Sequence, residues 1–159
     1  MLSEGAGFWT SNWLWGLPLV VATALLHVFS LGMLAAILKH GLRRHLGGAG
    51  HVRSYFAFST VMGLTTLALA VLHGGETVLW GVAYDLLDVV PDLPTAIYHA
   101  LMMGTTLGSD VATVARSWKL LGGIQAIGGW LMFGLSTAFL FAVMEQVRPL
   151  APPPDLPGA

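Results

Sequence analysis

Two stretches of this chain, residues 14–38 and 120–144, each run for 25 residues without one Asp, Glu, Lys or Arg. As helices rising ~1.5 Å per residue, both exceed the ~30 Å hydrocarbon thickness of a bilayer. A third stretch, residues 55–84, is interrupted only by Glu76 and is longer still. Charged residues make up 9% of the whole, against roughly 25% in a soluble domain. The pattern predicts an all-α membrane protein with three transmembrane helices. At 159 residues and with no internal repeat, it forms one unit. Cysteine is absent, which excludes disulfides, thiolate metal sites and thiol catalysis, and a net charge of −1 argues against nucleic acid as a partner.

Residues 1–13 carry Glu4 and no basic residue, so a secretory leader is not expected and this end is expected to be retained. Phe8, Trp9, Trp13 and Trp15 stand where amphipathic rings settle at a membrane interface. In the first span, 14–38, Pro18 is expected in the opening turns, where a missing backbone donor costs little. His27 falls near mid-span. It is either bonded to a neighbouring helix or functional.

Residues 39–54 hold Lys39, Arg43, Arg44 and Arg53, four of the seven basic residues. The positive-inside rule makes this loop cytoplasmic, with the N-terminus outside and the C-terminus inside. His40, His45 and His51 lie among glycines with no fixed ligand spacing, so a solvated linker touching anionic lipid is expected rather than a metal site. In the second helix, 55–84, His73 and Glu76 are three apart and share a face as an intramembrane polar pair, either structural or with a proton- or ion-sensing role. Two ligands are too few for a metal, and no metal is expected. Asp85 and Asp88 then form an acidic outer vestibule that would concentrate cations.

Asp92-Leu93-Pro94 reads as an N-cap followed by proline in a first turn, opening an uncharged segment, residues 93–104. About a dozen residues reach only some 18 Å, half a bilayer, so a re-entrant half-helix is expected, its last carbonyls unpaired at Gly104. Thr105-Thr106-Leu107-Gly108-Ser109-Asp110 follows. The third span offers Gly128, Gly129 and Gly134 for close packing or a hinge, and Ser136 and Thr137 as hydroxyls for a watery cavity. Arg116 and Lys119 lie outside, mildly against the positive-inside rule, and residues 148–159 read as a Pro-rich cytoplasmic tail.

This order of elements, with Val90-Pro91-Asp92-Leu93, Thr105-Thr106-Leu107-Gly108, Trp118-Lys119-Leu120-Leu121-Gly122 and the run Phe133-Gly134-Leu135-Ser136-Thr137-Ala138-Phe139-Leu140-Phe141-Ala142-Val143, resembles the pore module of the potassium channel superfamily. It looks like the small bacterial proteins of that superfamily that carry one extra helix and a basic loop ahead of the module. The resemblance implies a pore module over residues 55–147, with an inner helix at 119–145, in a bacterial inner-membrane homotetramer. Residues 105–110 of four chains would direct carbonyls at an axial file of monovalent cations, potassium foremost, with no cofactor and no chemical step.

The superfamily's filter reads Thr-Val/Leu-Gly-Tyr/Phe-Gly-Asp, and Gly108-Ser109-Asp110 is one residue shorter, without the aromatic. A non-selective or non-conducting membrane subunit, with a membrane partner of its own, is therefore the alternative. His99, Met102 and Met103 would pack behind such a loop. A haem held by His27 and His73 is disfavoured, since counting from the outer helix ends sets them about 10 Å apart in depth. Metal triads, activated nucleophiles and phosphate loops are not apparent, so an enzyme is not expected.

Overall fold

The computed structural model describes residues 2–45, 51–108 and 114–147, with side chains described over 9–41, 55–108 and 114–147. Its elements are α1 (Leu2–His45), α2 (His51–Leu86), α3 (Leu93–Gly104), a 3₁₀ turn (Arg116–Trp118) and α4 (Lys119–Val147). Three segments, Trp9–Gly41, Tyr55–Leu86 and Arg116–Val147, are long and apolar enough to cross a membrane. Each exceeds the ~20 residues a bilayer requires, so tilt or projecting ends absorb the excess.

Both ends of α1 differ from the sequence expectation. The helix begins well before residue 14, and it continues through Lys39 into the basic stretch as far as His45. Leu, Arg and Lys are good helix formers, and a charge marks where an apolar face ends without breaking the backbone. Pro18 consequently sits deep inside α1 rather than in its first turns, and the helix carries through it without the donor that residue lacks. His40 is exposed, while the side chains of His45 and His51 lie outside the described residues.

The helix contacts are set by glycines and by a few buried polar side chains. A methyl group on Gly81 of α2 would lie 2.9 Å from the Ile97 Cα of α3, so α2 and α3 approach backbone to backbone there. Tyr84 donates to Gln125 Oε1 (2.6 Å), and Gln125 Nε2 donates to the Ala100 carbonyl (2.9 Å), which joins α2, α4 and α3 through one amide. Asn12 pins α1 to the start of α4: its Nδ2 donates to the Ser117 carbonyl (2.6 Å) and its Oδ1 accepts from the Leu121 N–H (2.7 Å). Trp80 Nε1 donates to Thr23 Oγ1 at 3.0 Å, linking α2 to α1. Away from water, every backbone and side-chain polar group has to find such a partner inside the protein.

Candidate functional site

The short helix α3 is closed at both ends. Asp92, in extended conformation, accepts from the Thr95 N–H at 2.9 Å and from Thr95 Oγ1 at 3.0 Å, and Pro94 occupies the first turn. At the other end the expectation of unpaired carbonyls is corrected. Thr105 N–H reaches the Leu101 carbonyl (3.0 Å), Thr106 N–H that of Met103 (3.0 Å) and Leu107 N–H that of Met102 (3.1 Å). The last two bonds, with Thr106 at φ 61°, form a Schellman cap. Such a cap wants glycine at its left-handed position, and a β-branched threonine there is strained. Gly108 is also left-handed, at φ 78°. Ser109 and Asp110 lie outside the described residues.

α2 ends the same way. Val89 N–H bonds to the Tyr84 carbonyl (2.9 Å) and Asp88 N–H to that of Asp85 (3.1 Å), with Asp88 at φ 52°. Asp88 therefore serves as the turn residue that ends the helix, a position its type tolerates well, and it is exposed; Asp85 is half-buried.

Between α1, α2, α4 and the end of α3 lies a cavity of about 510 Å³. Its wall includes His73 and Glu76 together with Gly104, Thr105 and Thr106. Two groups of residues that stand apart in the sequence thus share one space. Gly128 and Gly129 also face it, and their role is close packing. A methyl group on Gly129 would fall 2.2 Å from the Gly104 carbonyl oxygen, and one on Gly128 would lie 3.2 Å from Val20 Cγ2. Gly134 has no neighbour within 4 Å of where its Cβ would be.

His73 and Glu76 are more than a pair. Glu76 Oε1 meets His27 Nδ1 of α1 at 2.7 Å, and Oε2 meets His73 Nδ1 at 3.1 Å. Ser136 of α4 closes the figure, its Oγ 3.0 Å from His73 Nε2 and 3.2 Å from His27 Nε2. His27 is fully buried and the Glu76 side chain 7% exposed, whereas that of His73 is 37% exposed, toward the cavity. The two imidazole centroids are 5.2 Å apart, which overturns the 10 Å depth difference counted from sequence. That count took the ends of the apolar runs as a common plane, and both helices extend past those ends. Thr137, next to Ser136, points outward and donates to the Phe133 carbonyl of its own helix (2.9 Å), so the neighbouring hydroxyls have separate fates.

No protein-family model, curated protein or solved structure matches this chain. Tyr84, Gln125, Thr23 and Trp80 are the members of the site that sequence reasoning missed. One signal was present for Gln125, an amide in an otherwise uncharged span, where polar groups bridge helices. His99 is buried on the edge of the Tyr84 ring, with centroids 4.9 Å apart, and its Nδ1 has no hydrogen-bond partner among the described residues.

Proposed function

We propose that this chain is one subunit of a tetrameric cation channel in a bacterial inner membrane, with its N-terminus outside, passing monovalent cations, potassium first, without a chemical step. The observation that carries this reading is α3 itself. It is an uncharged helix of 12 residues, too short to span, capped by Asp92 at its start and packed between α2 and α4, and it ends on the exposed stretch 105–108. The negative end of such a helix, followed by exposed backbone, suits a cation that has shed part of its water. One copy cannot enclose a pore, so four copies are part of the proposal, related by rotation about the pore axis. Leu107 at 75% and Phe133 at 65% exposure leave apolar surface for neighbouring copies or lipid to cover. The test is the number of chains per particle in native membranes or nanodiscs, by crosslinking and native mass spectrometry. Four chains support the reading, and monomers alone end it.

A second reading has its own support. The N–H groups of Thr106 and Leu107 are tied back onto α3, so part of the filter-like stretch serves as a helix cap. Together with the short Gly108-Ser109-Asp110, this favours a non-conducting subunit that keeps the architecture. Replacing Ser109 by Tyr-Gly separates the two. Flux created from nothing favours the second reading, and flux changed only in selectivity favours the first.

A further inference from the structure

The ring of Glu76, His27, Ser136 and His73 has four polar contacts at 2.7, 3.2, 3.0 and 3.1 Å. Four contacts need four hydrogens. A carboxylate supplies none, a neutral imidazole one each and a hydroxyl one, so with both imidazoles neutral the ring is one hydrogen short and one contact sets lone pair against lone pair, a shortfall that either one added proton or a bound metal cation removes. Burial makes such a contact costly.

A cation at the Glu76 side removes the shortfall. With both Nδ1 atoms and a Glu76 oxygen turned to one ion, both Nε2–H groups donate to Ser136 Oγ, which has the two lone pairs to receive them. A ligating imidazole whose other N–H is held by an oxygen is the usual outer arrangement of a metal site. We infer that His27, His73 and Glu76 bind a divalent transition-metal ion of the zinc class, with Ser136 holding both imidazoles in the ligating tautomer.

The geometry suits the ion. Metal–ligand bonds of ~2.0–2.2 Å in a tetrahedron set ligand atoms roughly 3.3–3.6 Å apart. The Glu76 oxygens are now 2.7 and 3.1 Å from the two Nδ1 atoms, and one ligating atom from each residue lies within 4.8 Å of the others. One carboxylate and two imidazoles match the ligand preferences of zinc, and three protein ligands leave a fourth position for water. His73 and Glu76 line the cavity of about 510 Å³, which gives the ion a way in. Sequence spacing alone offered two ligands, and the fold supplies the third from α1 across 49 residues. An ion here would fasten α1 to α2 directly, and α4 through Ser136, beside Thr105 and Thr106, whether or not the chain conducts.

The test uses the full-length, untagged protein in nanodiscs, titrated with Co²⁺ as a spectroscopic probe and with Zn²⁺ as competitor. His40→Gln, His45→Gln and His51→Gln together form the background, which removes the histidines of the basic stretch. The expected result is one Co²⁺ per chain with the visible bands of a four-coordinate nitrogen and oxygen site, displaced by Zn²⁺. Ser136→Ala should weaken binding 10- to 100-fold, as loss of an outer hydrogen-bond partner does. Glu76→Gln should abolish it. Absence of those bands in the triple-glutamine background overturns the site, and so does affinity unchanged in Ser136→Ala, even where Glu76→Gln fails to fold.

Discussion

His27 Nδ1 of α1 lies 2.7 Å from Glu76 Oε1 of α2, a buried contact across 49 residues that fixes two membrane-length helices at one register. A carboxylate at such depth survives only with partners, and Glu76 has two imidazoles. Glu76 carries this contact to the cavity, which it lines together with His73.

Ser136 and Thr137 are adjacent hydroxyls with opposite surroundings. Ser136→Ala removes the shared partner of two imidazoles and should cost roughly 1–3 kcal/mol, the range for a buried polar group left unsatisfied. Thr137→Ala deletes a bond within its own helix on an exposed face, and should stay within about 0.5 kcal/mol. Reversible unfolding in mixed micelles, followed by circular dichroism, gives both values. Equal effects would contradict the ring.

Gly129→Ala should loosen α3 from α4. The added methyl meets the Gly104 carbonyl oxygen at 2.2 Å, backbone that moves only with the whole end of α3, so a loss of about 1–3 kcal/mol is expected. Gly134→Ala meets nothing within 4 Å in its own chain and should leave the fold of the single chain intact. The thermal midpoints of the two variants, measured side by side in one detergent, give the comparison.

Thr106→Gly should stabilise. Thr106 holds φ 61° at the left-handed position of the α3 cap, where a side chain costs roughly 1–2 kcal/mol and glycine costs little. A raised unfolding midpoint is the expected outcome. A lowered one would mean that the threonine side chain contributes more than its backbone strain costs.

Asp92→Ala removes the side-chain acceptor of the Thr95 N–H and should cost about 1 kcal/mol. Asp92→Asn, which can cap equally well, should restore most of it. Faster hydrogen exchange at Thr95 and Ala96 in the alanine variant alone would place the loss at the start of α3.

The limits of α3 are legible in sequence because local chemistry sets them: Asp92 and Pro94 open it, and an uncharged dozen residues leads to Gly104. The three membrane-length helices are legible because uncharged runs of 25 residues exceed the length a bilayer requires. Helix ends were less so, since α1 passes through Lys39 and Arg43 on propensity after its apolar run stops. The ring was legible only in its i, i+3 half, His73 and Glu76. Its other members come from α1 and α4, 109 residues apart, and joining them requires the rotation of each helix about its axis, which a uniformly apolar helix conceals. For the same reason Ser136 and Thr137 read alike in sequence and separate in the fold.

The proposed tetramer would enclose a cation pathway at residues 105–108. Potassium efflux from liposomes reconstituted with the purified protein, compared with sodium efflux and with empty vesicles, tests it most directly. Potassium flux well above that of empty vesicles, rising with protein-to-lipid ratio, is the expected result. Efflux indistinguishable from empty vesicles for both ions, from protein shown to be folded and inserted, would contradict it.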